Sequence, residues 1–169
     1  MRVILLSALL FFLFLGCSAI VKANNSLPPP YVDVDGSAQV KKNTKITLLP
    51  LNNYTDTSQA GMRASNIIEG LLLSKGYIIK SHISIDKYDL QKAIELARQD
   101  GSDYLMYGGV SEWRYKTGID GEAAVSIQCA LVDIKTSLVV WSSIGSNSGW
   151  ASSSIGETAQ NLIKSMLFN

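Results

Sequence analysis

Residues 3–15 form an apolar run, broken only by Ser7 and Ala8, that succeeds the short positive stretch Met1-Arg2 and stops at Gly16-Cys17. A helix that spans a bilayer needs about 20 apolar residues, so this run is too short to cross comfortably. A short basic start, an apolar stretch of this length and a small residue at its end are the features of a secretory signal. Residues 1–16 are therefore expected to be removed, and the fold must be built from residue 17 onward. That remainder suits one modest domain. With 47% of the 169 residues hydrophobic, it has enough apolar side chains for a core.

The junction Phe14-Leu15-Gly16-Cys17-Ser18 resembles the lipobox of bacterial lipoproteins, although Phe14 and Leu15 stand where Leu and a small residue are commoner. The resemblance implies a diacylglycerol on the Cys17 thiol, cleavage just before it, and an N-acyl chain on the new terminus. Ser18 after the cysteine implies sorting to the outer membrane. Each buried methylene contributes about 0.8 kcal/mol, so two or three acyl chains anchor far more firmly than one. Loss of Arg2 with the signal leaves 14 basic against 14 acidic residues, and a near-neutral chain offers no electrostatic basis for binding nucleic acid. With the Cys17 sulfur taken by lipid, Cys129 has no partner for an intramolecular disulfide.

Residues 17–43 are rich in Asn, Ser, Pro and small side chains, and Pro28-Pro29-Pro30 excludes helix or central strand there. This segment is expected to be a tether, with roughly 3 Å of reach per residue where it is polyproline-like. A globular α/β domain is expected over 44–169. A short apolar strand, 45–49, stops at Pro50. A helix beginning near Thr57 or Ser58 would bury Ala64, Ile67, Ile68, Leu71 and Leu72, at the spacing of a core-facing helix, and end at Gly76. A strand at 77–79 comes next. A second helix over 86–99 has Asp86 as its expected N-cap and Leu90, Ala93, Ile94 and Ala97 inward. A strand over 104–115 carries Trp113 and Tyr115 on one face and Arg114 on the other, with a bulge expected at Gly108-Gly109. A strand over 122–133 puts Val125, Ile127, Cys129 and Leu131 on one face. A strand over 138–144 and a helix opened by the capping box Ser154 with Glu157 complete the domain. The order β-α-β-α-β-β-β-α predicts a single mixed β-sheet with helices packed on it.

Catalytic chemistry finds little support in these residues. His82 is the one histidine and has no acid or cysteine at ligand spacing, which reads as a loop or surface position; no metal-ligand cluster is visible. Cys129 falls on the apolar side of a strand and reads as core. Residues 145–149 have the Gly-x-x-x-Gly outline of a nucleophile elbow, but Asn147 replaces the serine and no histidine lies downstream. Asp120 and Glu122 could be a glycosidase pair, yet they flank a turn, where solvated acids are commoner. No cofactor is expected, and an enzyme is disfavoured. What remains is an interaction surface around Arg114 and the loop residue Trp150, which suits a membrane interface, a subunit interface or a sugar face.

Two blocks then carry a resemblance: Leu48-Leu49-Pro50-Leu51-Asn52-Asn53-Tyr54-Thr55-Asp56-Thr57 with Gln59-Ala60-Gly61, and Ser111-Glu112-Trp113-Arg114-Tyr115-Lys116-Thr117-Gly118-Ile119-Asp120-Gly121-Glu122 with Val140-Trp141-Ser142 and Ser148-Gly149-Trp150. They resemble the PelC family of outer-membrane lipoproteins of Pel exopolysaccharide export, over nearly all of the chain from Lys45. The first block alone is shared more widely, with CsgG-like secretion components, LpoB-like activators of peptidoglycan synthases and the TolB N-terminal domain. The resemblance implies a fold of the CsgG/TolB N-terminal kind and a non-catalytic subunit of a twelve-membered ring facing the periplasm. Such a ring guides the cationic Pel polymer towards the PelB channel. It further implies that Trp150 belongs to an aromatic belt at the membrane. Acidic side chains, for which Asp56, Asp120 and Glu122 are the candidates, would attract the polymer. Two other readings are an LpoB-like regulator of a peptidoglycan synthase and a CsgG-like secretion component.

Overall fold

A computed structural model describes residues 31–35, 43–83, 88–118, 121–150 and 152–168. Among these residues seven strands and three helices run in the order β1 (Tyr31–Asp35), β2 (Lys45–Leu48), β3 (Asn52–Asn53), α1 (Ala60–Ser74), β4 (Ile78–Ser81), α2 (Leu90–Gln99), β5 (Tyr104–Tyr115), β6 (Ala123–Asp133), β7 (Leu138–Ser148) and α3 (Ile155–Phe168). They form one mixed sheet ordered β1-β7-β6-β5-β2-β4, with β3 beside β5. β2 is parallel to β4 and β5, while β5, β6, β7 and β1 pair antiparallel. This is the expected α/β class with its expected helix and strand order, enlarged by β1 and β3.

Helices lie on both faces for a topological reason. The crossover through α1 carries the chain from β2 outward to β4; the crossover through α2 carries it back across β2 to β5. Right-handed connections running in opposite directions along one sheet must lie on opposite faces. On the first face, α1 and α3 bury Ala64, Ile68, Leu162, Ile163 and Met166 against Ile46, Leu48, Met106, Val110, Trp113, Val125, Ile127, Cys129 and Leu131. On the second, Ala93, Ile94 and Ala97 of α2 cover Leu49, Leu105 and Val132. Among the described residues no helix of this second cluster reaches the far part of that face, where the end of β5 from Gly109 pairs with the start of β6, as an antiparallel sheet allows.

Several local expectations change. The segment expected as tether contributes β1, whose residues pair with 142–146 of β7; extended backbone there meets an open sheet edge and completes its hydrogen bonds. Helix α1 starts at Ala60, later than expected, because Thr57 and Thr55 are engaged elsewhere: the Thr57 hydroxyl donates to the Trp113 carbonyl, and Thr55 N and Oγ1 donate to Asn53 Oδ1. Asp89, not Asp86, caps α2 by accepting from the backbone N–H groups of Gln91 and Lys92; Asp86 lies outside the described residues. The β5 irregularity falls between Val110 and Glu112 rather than at Gly108-Gly109. That extra residue shifts the two-residue alternation by one, so Val110 and Trp113 both face the larger core. Gly108 instead permits close approach: a Cβ there would overlap the Gln128 carbonyl. Strand β7 runs on to Ser148, so residues 145–148 are straight strand and not a nucleophile elbow.

Other local signals hold. Asp133 Oδ1 accepts from the N–H groups of Thr136 and Lys135 in the β6–β7 turn, bonds that hold its carboxyl below the usual range. Ser154 Oγ accepts from Glu157 N at 3.0 Å, the first half of a capping box, at the start of α3.

Candidate functional site

One end of the sheet brings together Trp150 and Glu122, both singled out from sequence, with Tyr115 and Lys116. Trp150 succeeds β7 on a turn closed by a hydrogen bond from Ser153 N to the Trp150 carbonyl, 2.8 Å. Gly149 before it donates to the Ala123 carbonyl, also 2.8 Å, and a side chain at 149 would collide with Thr158 and Ser153. The turn is thus fixed against β6 and α3, and it holds the indole 44% exposed. Two strands away, at the end of β5, Tyr115 is 52% exposed because the strand runs past the core that buries Trp113. Between them Lys116 Nζ bonds Ser148 Oγ at 2.7 Å and stands 3.5 Å from Glu122 Oε2. Glu122 is therefore half of an exposed ion pair, not a free acid.

Strand β1 bears on this end. Tyr31 pairs with Ser146 and Asp35 with Ser142, so the chain arriving from residue 30 enters the sheet at the Trp150 end. Cys17 and Asp120 lie outside the described residues.

A second feature lies beside it. The 54–57 loop, positioned by β3 and by the bond from Tyr54 N to the Val110 carbonyl at 2.9 Å, overhangs the far end of β5, beyond the part that α2 covers. Between loop and strand is a cleft of about 470 Å³ lined by Tyr54, Thr55, Asp56, Thr57, Ser111, Glu112, Trp113, Arg114 and Ser126. Arg114 Nη2 and Glu112 Oε1 pair at 2.8 Å, both partly in water. Two residues chosen from sequence, Asp56 and Arg114, therefore share one cleft. Sequence reasoning passed over Tyr54, Glu112 and Ser126; the β5 bulge, which turns Glu112 to the open face, carries no clear sequence signal.

The remaining reactive groups are accounted for differently. Burial pushes the Cys129 thiol up to about 12, which keeps it protonated and inert. His82 has an acidic neighbour after all: Nε2 lies 2.9 Å from Asp100 Oδ2, which also accepts from the Thr47 hydroxyl at 2.7 Å. The fold brings these together across 18 residues by ending α2 beside β4. In a hydrolytic triad the imidazole stands between hydroxyl and carboxylate; here the carboxylate stands between, so the hydroxyl is not activated by the ring. Among the described residues no three of His, Cys, Asp and Glu come together as a metal site, and no helix is long and apolar enough to cross a membrane.

Comparison with known proteins places this architecture. The family model described as peptidoglycan-synthase activator LpoB matches residues 80–146. The chain is similar to PelC from Paraburkholderia phytofirmans, solved as a dodecamer in two crystal forms, one of them of a point variant. Identities are 32% and 33% and TM-scores 0.73 and 0.72, covering 82% of this chain and 95% and 94% of theirs. The LpoB C-terminal domain from Salmonella enterica is 19% identical over 65% of this chain and 86% of its own, with a TM-score of 0.51, a likeness of fold alone. No curated protein matches the sequence.

Proposed function

The chain belongs to the PelC family, and on that premise we propose that it is a non-catalytic, lipid-anchored subunit of a homo-oligomeric ring beneath the outer membrane. The ring guides an exported polysaccharide, of the cationic Pel type, towards an outer-membrane channel such as PelB. The observation that carries the anchoring part of this reading is the shared end: the chain enters the sheet at Tyr31, beside the strand that leads to Trp150, and Tyr115 is exposed two strands away. An acyl group on Cys17 and the two aromatic side chains would then address the same surface. Tryptophan, tyrosine and lysine side chains favour a membrane–water boundary because they join an apolar body to a polar tip. The likeness to PelC dodecamers over 95% of their chain supports assembly, with a ring as the closed form of a head-to-tail contact.

Sizing the mature lipoprotein in detergent by light scattering tests the assembly: a single high-mass species, about twelve subunits, is expected, and a monomer at micromolar concentration would overturn the ring. Trp150→Ala should leave fold and oligomer intact while lowering secreted polymer severalfold; normal secretion would remove Trp150 from the membrane contact.

A second reading draws on the match of residues 80–146 to the LpoB model. A regulator of that kind would form a stoichiometric complex with a periplasmic synthase and no ring. The same sizing measurement, repeated with the synthase present, separates the two.

A further inference from the structure

The 54–57 cleft opens at the far end of β5, and Tyr54 gives it a distinctive wall. Tyr54 is 71% exposed, yet its position is held from behind. β3 pairs with β5, so Tyr54 N is bonded to Val110, and the ring edge lies where a Cβ on Gly109 would stand, 2.6 Å from Cε2. Asn52 Nδ2 donates to the phenol oxygen at 3.4 Å. An exposed aromatic ring held by its edge against a glycine is a stacking platform already in place.

The groups around it are polar and of mixed charge. The floor carries the Ser111–Ser126 hydroxyl pair, 3.0 Å apart. Glu112 and Arg114 form their ion pair on one side, leaving the guanidinium with unused N–H groups. Asp56 is exposed opposite, with no ion pair among the described residues. Two carboxylates against one guanidinium leave a net negative cleft, and a cavity of about 470 Å³ lies in the range that holds small ligands. A docking peptide or lipid tail would need an apolar pocket here, and the floor supplies hydroxyls instead. A sugar ring offers the matching set: an apolar C–H face for Tyr54 and hydroxyls for Glu112, Arg114 and the serines. An ammonium group on that sugar gains from the carboxylates and from the face of the phenol ring.

We propose that this cleft docks individual amino-sugar residues of the passing polymer, with Tyr54 as the stacking platform and Asp56 and Glu112 as the groups that favour a cationic unit. This rests on the export reading above and adds to it a site on this chain and the role of each residue there. The site is shallow and wet, so each contact is weak, as a guide for a moving chain requires; repetition around an oligomer supplies the retention.

The test uses the mature lipoprotein in detergent, titrated by calorimetry with a short oligomer of partly deacetylated N-acetylhexosamine and with its fully acetylated counterpart. Wild-type protein should bind both, the deacetylated oligomer more tightly. Tyr54→Ala should weaken both by about tenfold, whereas Tyr54→Phe should bind like wild type. Glu112→Gln should weaken the deacetylated oligomer selectively. Unchanged binding in Tyr54→Ala, or no binding of either oligomer by wild type, overturns the site. Light scattering on the same samples keeps the two failures apart: an intact ring that ignores both sugars refutes the cleft and leaves the export reading standing, while loss of the ring refutes that reading itself.

Discussion

Gly61→Ala is expected to destabilise the domain by about 2–4 kcal/mol, whereas Gly70→Ala, nine residues later in the same helix, is expected to stabilise it by about 0.5–1 kcal/mol. Both substitutions gain the same helix propensity, roughly 1 kcal/mol, because glycine gives up more backbone freedom than alanine. Their surroundings differ. Gly70 is exposed and a Cβ there meets nothing within 4 Å. At Gly61 a Cβ would overlap the Leu51 carbonyl, which is backbone and cannot rotate away as a side chain could. Relief requires α1 to move off the β2–β3 connection. That movement breaks the buried bond from Leu51 N to Ser65 Oγ, 2.8 Å, whose hydroxyl in turn donates to the Gly61 carbonyl at 2.9 Å. Leaving a buried N–H unpaired costs about 1–3 kcal/mol on top of the overpacking. Chemical denaturation of the two variants measures both signs in one experiment. A neutral Gly61→Ala would mean that α1 is not seated on Leu51. Because Leu51 leads directly into β3 and the 54–57 loop, the same variant should also loosen the sugar cleft.

Parts of this molecule are legible in sequence and parts are not, and the division tracks physical range. Periodicity alone places α1, α2, α3 and the long strands, since a helix that must bury one stripe and a strand that must bury one face leave that pattern in the chain. The full extent of β5, from Tyr104 to Tyr115, and the core face Val125, Ile127, Cys129 and Leu131 emerge from that pattern. Helix starts are displaced where a side chain has a tertiary partner: Thr57 has the chemistry of a helix-opening residue, but the Trp113 carbonyl takes its hydroxyl. β1 escapes a reading along the chain because its partner, residues 142–146 of β7, lies far away in sequence. The cleft is half legible. Asp56 and Arg114 stand out in the sequence, but their neighbours depend on β3 joining β5 in parallel and on the bulge that sends Glu112 outward, both long-range facts. His82 beside Asp100 is the same kind of omission.

Exchanging residues 1–17 for an ordinary cleavable secretory signal, so that the mature chain begins at Ser18, is expected to move the protein almost completely from the membrane to the soluble periplasmic fraction, with its oligomer intact. Relative magnitudes decide this outcome. A buried acyl chain of about fourteen carbons contributes roughly 10 kcal/mol, and the lipid expected on Cys17 carries more than one. Trp150 can add little beside that: with somewhat less than half its surface exposed, full insertion would contribute about 3 kcal/mol at most. Per subunit the aromatic contact orients and does not anchor. In a ring, however, every copy presents the same side chain on the same face, and weak contacts held together add. The unlipidated ring should therefore keep a measurable affinity for vesicles of outer-membrane phospholipid, detectable by flotation, and Trp150→Ala in that background should abolish it. Retention of the unlipidated protein in the membrane fraction after a carbonate wash would show an anchor other than Cys17. An unlipidated ring that ignores vesicles, with or without Trp150, would show instead that the aromatic end faces something other than lipid.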